Sequence, residues 1–181
     1  MTIIGTVSGL ETDPIQAILN TTEEGVLALV AGVEGPFYRP VGATMAVFGD
    51  NRRVGSLSSG CIEADISVQA MTALRAGAPR MLRYGRGSPF IDIQLPCGGG
   101  LDILLPPNPD RDVLTRLEQK RGERRPCSLS ISLDTGVMTL TDPIPIHRND
   151  LQLSVLFVPP VAFWSSAKAQ RRALFLRLCN P

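Results

Sequence analysis

The sequence predicts an α+β fold: a mixed, largely antiparallel sheet with hairpins, packed against two to three helices. Strand-like segments outnumber helical ones, and neighbouring strands are joined by short turns such as "FGDN" (48–51) and "DTG" (134–136). Turns this short connect antiparallel strands, whereas parallel strands need a long crossover. Apolar residues make up 44% of the 181-residue chain and aromatic residues only 5%, so aliphatic side chains must fill the core.

The first predicted elements are a short helix, a buried strand and a hairpin. Asp13 is placed to cap a helix that begins at Pro14, a position that tolerates proline. "GVLALVAGV" (25–33) has the length and apolar content of a buried strand. The Pro- and Gly-rich "EGPFYRPVG" (34–42) predicts a loop, and "ATMAVFGDNRRVGSLS" (43–58) predicts a hairpin.

The helix after Cys61 has clear start and stop signals. Acidic residues in its first turn favour the helix dipole, and Gly77 followed by Pro79 is typical of a helix end. Its apolar residues recur at helical spacing and predict one buried stripe: Ile62, Ile66, Ala70, Ala73 and Leu74.

The remaining elements are predicted by the same signals. "RMLRYG" (80–85) and "LDILLPP" (101–107) predict strands, with a Gly- and Pro-rich passage between them. "NPDRDVLTRLEQKRG" (108–122) predicts a helix capped by Asn108. A hairpin over 127–141 and a strand over 151–160 complete the series.

Composition excludes several classes of function. The 18 basic and 17 acidic residues give a formal net charge of +1, so no nucleic-acid partner is expected. The start of the chain has no leader pattern, and no run approaches the ~18 apolar residues of a membrane span. The four cysteines, at 61, 97, 127 and 179, form no CxxC pair. We therefore expect free thiols in a cytoplasmic protein.

Two cysteines lie against flexible backbone. Cys61 comes at or near a helix N-terminus, where free N–H groups stabilise a thiolate. A free cysteine also packs as a small hydrophobe, and the local pattern leaves both interpretations open. Cys97 precedes Gly98, Gly99 and Gly100. Three successive glycines are costly to order, and they favour a ligand-binding loop over a simple tight turn.

Other familiar chemistries lack their residues. Zinc needs four ligands, usually in paired spacings, and the chain offers isolated cysteines and a single histidine, His147. The sequence has no GxSxG elbow, no P-loop and no dinucleotide motif. We predict no catalytic residue and no metal site. Arg39, Arg83 and Arg86 lie in or beside loops and could pair with an anionic ligand, although each alone could be a surface arginine.

The order of these segments is more specific than any one of them. A buried strand is followed by an Arg-Pro-x-Gly loop (39–42), a hairpin that ends in Ser-Gly-Cys-x-Glu (59–63), a helix, and Cys-Gly-Gly-Gly (97–100). This order resembles the N-terminal domain of the XdhC/CoxI family, the accessory proteins of molybdenum hydroxylases such as xanthine dehydrogenase.

The resemblance implies a function. Family members are thought to bind the molybdenum cofactor (molybdopterin), protect it while a terminal sulfido ligand is installed, and deliver it to an apo molybdenum hydroxylase. A homodimer, and a cysteine desulfurase as a second partner, are expected as well. Such a protein is a cofactor chaperone without turnover of its own. Two alternatives stay open: a thiol-dependent sulfur-transfer enzyme, and a truncated oligomerising or partner-binding domain without small-molecule activity.

The resemblance also implies site residues. Cys61 and Cys97 match the two family cysteines, Arg39 matches the loop arginine, and Glu63 matches the family's acid. A soft thiolate suits a metal–sulfur centre, so we expect both cysteines to face one pocket. The expected cofactor-binding residues are Arg39, Gly60, Cys61, Glu63, Cys97, Gly98, Gly99 and Gly100.

The chain departs from the family pattern in three places. "EGPFYRP" (34–40) replaces a loop that usually has Ser or Thr before its arginine, and Ser59 replaces a glycine. Full-length members also carry a second, Rossmann-like domain, which we expect to be absent. We assign residues 1–158 to the XdhC/CoxI-like domain and 159–181 to a C-terminal tail that could form a helix.

Overall fold

The structure is a computed structural model that describes residues 13–89, 95–96 and 98–158. None of the helices within these ranges is long and apolar enough to cross a membrane. The helices are α1 (Pro14–Leu19), α2 (Glu63–Ala76) and α3 (Arg111–Gly122). The strands are β1 (Gly25–Glu34), β2 (Thr44–Phe48), β3 (Arg53–Gly55), β4 (Arg80–Gly85), β5 (Gly100–Leu105), β6 (Cys127–Ser132), β7 (Met138–Thr141), β8 (His147–Arg148) and β9 (Gln152–Phe157).

The described strands form two sheets. The first sheet has five strands in the order β3-β2-β1-β5-β4, and the second sheet has four in the order β7-β6-β9-β8. Each pairing between these strands is antiparallel. The α+β class and its hairpins are therefore confirmed. The division into two sheets is a detail that the strand pattern did not predict.

Strand β1 lies at the centre of the molecule, because both of its faces are covered. Seven consecutive residues from Gly25 are buried, as expected for a strand whose sequence is one continuous apolar run. Val26, Ala28 and Val30 pack in a core under α2, with Ile62, Ile66, Ala70 and Ala73 from the predicted stripe. Leu27, Leu29 and Ala31 pack in a second core, with α1, α3 and the second sheet. The fold is thus three layers deep, with the first sheet in the middle.

Two elements differ from the sequence prediction. Helix α3 begins at Arg111, because Asp110 caps it by accepting hydrogen bonds from the backbone N–H groups of Asp112 and Val113. Asn108 instead accepts from the N–H of Gly25 (3.3 Å), and so fixes the start of β1. Strand β8 lies in the Pro-rich stretch 142–150, between the predicted hairpin and the last predicted strand, where the sequence predicted no strand. The predicted tail, 159–181, lies outside the described residues.

An ion pair joins the two sheets. Asp102 on β5 accepts hydrogen bonds from Arg83 on β4 (3.2 Å) and from Arg148 on β8 (2.6 Å). A Cβ atom added at Gly32 would lie 2.7 Å from the Asp102 Oδ2 atom. The glycine in β1, beside an irregularity in the strand register, therefore makes room for the pair. All three charged side chains are at most 35% exposed, so water screens this pair less than a surface pair.

A double-mutant cycle measures this contact. We expect Asp102→Ala and Arg148→Ala to show a coupling energy of about 1 kcal/mol in urea unfolding. The exposed pair Asp50–Arg52 is the control, and its cycle should give a coupling near zero. Equal coupling in the two cycles would mean that the Asp102 bridge does not hold the sheets together.

Candidate functional site

Three loops leave the first sheet at the same end. Glu34 at the end of β1 pairs with Gly100 at the start of β5, which also pairs with Gly85 at the end of β4. Gly55 at the end of β3 pairs with Met45 near the start of β2. The antiparallel register therefore brings the loops 35–43 and 56–62, and the described parts of the segment 86–99, to one edge, which we call the loop end. Each predicted site residue that the structure describes lies in one of these segments or directly after it.

The 56–62 loop is built around one carboxylate. Glu63, the first residue of α2, turns its side chain back into the loop and is buried. It accepts from the hydroxyls of Ser56 (2.7 Å) and Ser58 (2.6 Å). It also accepts from four backbone N–H groups, those of residues 57, 58, 60 and 62. These N–H groups all belong to the loop before α2, so the carboxylate satisfies backbone donors that have no partner in the sheet or the helix.

The electrostatics of Glu63 follow from these bonds. Burial alone would raise the pKa of this carboxyl, but the hydroxyls of Ser58 and Ser56 and the N–H groups of Ser58 and Gly60 outweigh it. The result is a pKa lowered to about 2. Glu63 is therefore ionised at neutral pH, and its charge is satisfied within its own loop. We assign it a positioning part; its direct contact with a cofactor stays a prediction.

Cys61 is displayed by this loop rather than packed within it. Ser59 and Gly60 have φ angles of +60° and +102°, which turn the chain sharply outward before Cys61. Cys61 is exposed, whereas Cys127 on β6 is buried in the core, where burial raises the pKa of its thiol. Of the two interpretations left open for Cys61, the structure favours an accessible thiol. Cys97 lies outside the described residues, so a shared pocket stays a prediction.

The three glycines after Cys97 serve three different needs. Gly98 has a φ of +69° with open space around its Cα. Gly99 lies against another loop, because an added Cβ would clash with the Pro36 carbonyl oxygen and lie 2.8 Å from that of Glu34. A Cβ at Gly100 would clash with the Arg83 guanidinium. Close approach within the chain thus accounts for two of them, and their role in ligand binding stays a prediction.

Acidic residues engage two of the three candidate arginines. Arg83 donates to Glu34 and Asp102, and its Nε donates to the Arg86 carbonyl oxygen (2.8 Å). Arg86 pairs with Glu34 at 3.4 Å. These bonds tie the end of β1 to the segment after β4. Arg39 is exposed and has no hydrogen-bond or ion-pair partner within the described residues, so it is the candidate best placed to meet an outside anion.

The 35–43 loop is fixed at both ends. The Gly42 N–H donates to the Val30 carbonyl (2.8 Å), and the Ala43 N–H donates to that of Pro40 (3.1 Å). Gly42 has a φ of +90° and lies against Val155 of β9, which leaves no room for a Cβ. Gly99 holds the other end at Pro36. The tip between these contacts presents Arg39 from a rigid base.

A cleft brings the three loops together. Its lining residues come from all of them: Pro36, Phe37, Tyr38, Leu57, Ser58, Leu95, Gly100 and Leu101. Its volume of about 10 Å³ holds no more than about one water molecule. The described residues contain no group of three or more His, Cys, Asp or Glu side chains arranged to hold a metal. A ligand larger than a water molecule would therefore lie over this cleft rather than inside it.

Sequence reasoning missed Phe37 and Tyr38. Both line the cleft, and both are exposed at the tip of the 35–43 loop. Two adjacent aromatic residues in a loop, in a chain with 5% aromatic residues, were the available signal.

Comparison with known proteins supports the resemblance. Residues 18–85 match the model of the XdhC and CoxI family. The chain is 42% identical over 100 residues to the molybdenum cofactor insertion chaperone PaoD of Escherichia coli (strain K12), covering 53% of this chain and 31% of that protein. It is 45% identical over 60 residues to a probable xanthine dehydrogenase component of Bacillus subtilis (strain 168), covering 33% of this chain and 18% of that protein.

A solved structure shares the fold. The crystal structure of a xanthine dehydrogenase from Bacillus halodurans superposes with a TM-score of 0.63 and 23% identity, covering 80% of this chain and 52% of that one. The predicted relationship to the XdhC/CoxI family is confirmed. The chain spans about a third or less of the length of these curated relatives and about half of the solved structure.

The Glu63 carboxylate makes the loop sensitive to acid. Its pKa falls from 4.5 to about 2 on folding, so it stabilises the protein above about pH 4.5 and loses this effect as the pH falls through about 2. At pH 7 we expect Glu63→Gln to lower the free energy of unfolding by about 3 kcal/mol, a difference that shrinks towards pH 2. Urea unfolding across this range measures it, with the exposed Glu23→Gln as control; a difference independent of pH would contradict the assignment.

The glycine triplet offers a matched pair of substitutions. Gly98→Ala adds only the strain of a left-handed φ, about 1 kcal/mol. Gly99→Ala places a Cβ against two backbone oxygens and should cost about 2–3 kcal/mol. Chemical denaturation of the two variants compares them directly. Equal losses would show that Gly99 is not in contact with the 35–43 loop.

Proposed function

We propose that this chain, whose residues 18–85 match the XdhC and CoxI family, binds the molybdenum cofactor as cargo. In this proposal it helps to deliver or sulfurate the cofactor for a molybdenum hydroxylase such as xanthine dehydrogenase. The similarity to an insertion chaperone over 100 residues supports this function. The homodimer, the cysteine desulfurase partner and the cytoplasmic location stay predictions.

One observation carries the proposal: Cys61 is an exposed thiol on a turn that a buried carboxylate holds in place. A thiolate is a soft ligand, which suits a molybdenum–sulfur centre. The six bonds to Glu63 fix the turn before any cargo arrives, so little ordering of the loop opposes binding. An exposed thiol also allows the cargo to leave for a partner enzyme.

Other groups at the loop end have the chemistry needed to bind the remaining parts of the cofactor. The cofactor carries a phosphate, and five backbone N–H groups of the 56–62 loop are already bonded within it, four to Glu63 and one to Ser56. Arg39 is therefore the group that we assign to the phosphate, because a guanidinium donates two hydrogen bonds to such an oxyanion. Gly60 is assigned to the turn that presents the thiol, and Cys97 to a second thiol beside it.

Cofactor retention tests this function. Purified wild-type protein, incubated with molybdenum cofactor released from a molybdoenzyme, should retain it through gel filtration. Cys61→Ala and Cys97→Ala should each weaken retention at least about tenfold, the scale on which altered metal environments act. Molybdenum content by mass spectrometry gives the measurement.

Two variants serve as controls. Cys61→Ser keeps the shape of the turn but offers a hard oxygen, and should fail like Cys61→Ala. Cys127→Ala removes a thiol that is buried in the core and should retain the cofactor. Equal retention by the wild type and a Cys61/Cys97→Ala double variant would refute the proposal, as would a wild type that retains none.

A second candidate function rests on the same exposed thiol. In a sulfur-transfer enzyme, Cys61 would itself carry the sulfur atom as a persulfide. Incubation with a sulfur-loaded desulfurase, followed by mass spectrometry of the intact chain, distinguishes the two functions. One added sulfur atom, lost in Cys61→Ala, would favour sulfur transfer, and an unchanged mass would favour the carrier.

A further inference from the structure

Two aromatic rings stand exposed at the loop end. Phe37 and Tyr38 are 51% and 50% exposed, although large apolar side chains are usually buried. The chain has only one Trp, two Tyr and six Phe, so two of its nine aromatic residues lie at this tip. Half of each side chain is open to solvent, whereas the rest of its surface is covered by the chain.

These rings are held in place by the base of their loop. Gly99 lies against the Pro36 carbonyl on one side, and Gly42 lies against Val155 on the other. The bond from Gly42 to Val30 and the turn from Ala43 to Pro40 close the base. A fixed base lowers the conformational entropy that ligand binding costs.

The surroundings of the rings define what can bind. The cleft beneath them is too small for a side chain or a bulky ligand body, and its floor includes the buried Leu57 and Leu101. A ligand at this point would therefore lie over the cleft and against the exposed parts of the rings. Arg39, the next residue, offers a cation, and the neighbouring loop offers the Cys61 thiol. Such a site suits a planar, fused heterocycle that carries a phosphate and sulfur atoms.

We propose that Phe37 and Tyr38 form a stacking platform for the pterin ring of the molybdenum cofactor. This inference rests on the proposed function and assigns the pterin to residues that the sequence did not predict. Stacking of heterocyclic bases on aromatic side chains is a strong and general interaction. The platform fixes the ring, Arg39 meets the phosphate, and Cys61 lies towards the metal–sulfur end.

A pterin without metal or sulfur tests the platform separately from the thiols. The probe is an oxidised pterin that carries one phosphate, titrated by its fluorescence against the full 181-residue chain. A Phe37→Leu/Tyr38→Leu double variant keeps apolar side chains and removes both rings. We expect its Kd for the probe to rise about tenfold or more, as for loss of base stacking.

The controls distinguish stacking on the rings from non-specific apolar binding and from binding through the Cys61 thiol. Val68→Ala changes an exposed apolar residue on α2 and should leave the Kd unchanged. Cys61→Ala should also leave it unchanged, because the probe has no ligand for the thiol. Thermal melts of all variants should stay close to the wild type, since none of the substituted side chains is fully buried.

Each outcome has one meaning. If the wild type retains the molybdenum cofactor and the double leucine variant retains it equally, the platform is refuted and the proposed function stands. If that variant binds the probe normally but loses an apo molybdenum hydroxylase in a pull-down, the rings contact a protein and the platform is likewise refuted. If the wild type binds neither cofactor nor probe, both proposals fail. Binding of the probe through the rings, without cofactor retention, would refute the proposed function and with it the assignment of the rings to this cofactor.

Discussion

The burial of β1 on both faces is the constraint on which the rest of this structure depends. A strand that is apolar along its whole length cannot face water, so one layer must cover each side. Helix α2 covers one face, and α1, α3 and the second sheet cover the other. Because β1 pairs with an antiparallel neighbour on each side, its register also decides where the connecting loops emerge. The loop end is a result of that register.

The loop end is stabilised by contacts inside the chain, and this leaves a small set of groups facing outward. Glu63 accepts hydrogen bonds from backbone N–H groups of the 56–62 loop, and the pair of Arg83 and Glu34 links the ends of β4 and β1. Gly99 packs against Pro36 of the 35–43 loop. Among the described residues, the groups not used in this way include the Cys61 thiol, the Arg39 guanidinium and the two rings beside it. The residues that hold the loops in place are therefore different from the residues that face outward.

Sequence patterns predicted the elements better than the contacts between them. The apolar run of β1 and the apolar stripe of α2, whose residues recur at helical spacing, are local patterns, so the sequence alone predicted both elements. The role of Gly99 was not predictable, because it depends on Pro36, more than sixty residues earlier in the chain. The inward turn of Glu63 was partly predictable, since side chains in a helix lean towards its N-terminus. The prediction that Asn108 caps α3 was wrong, because its side chain accepts a hydrogen bond from the N–H of Gly25 at the start of β1.

The self-contained bonding of Glu63 has a consequence for how cargo would be exchanged. In many carriers the binding loop is ordered only when occupied, so each release melts the loop and each capture refolds it. Here the anion that completes the loop is part of the chain, so its hydroxyl and N–H partners are satisfied by the fold itself. Under the proposed function, the residence time of a cargo would depend on its own contacts. Hand-over would then need no folding step and would proceed at the rate at which those contacts break.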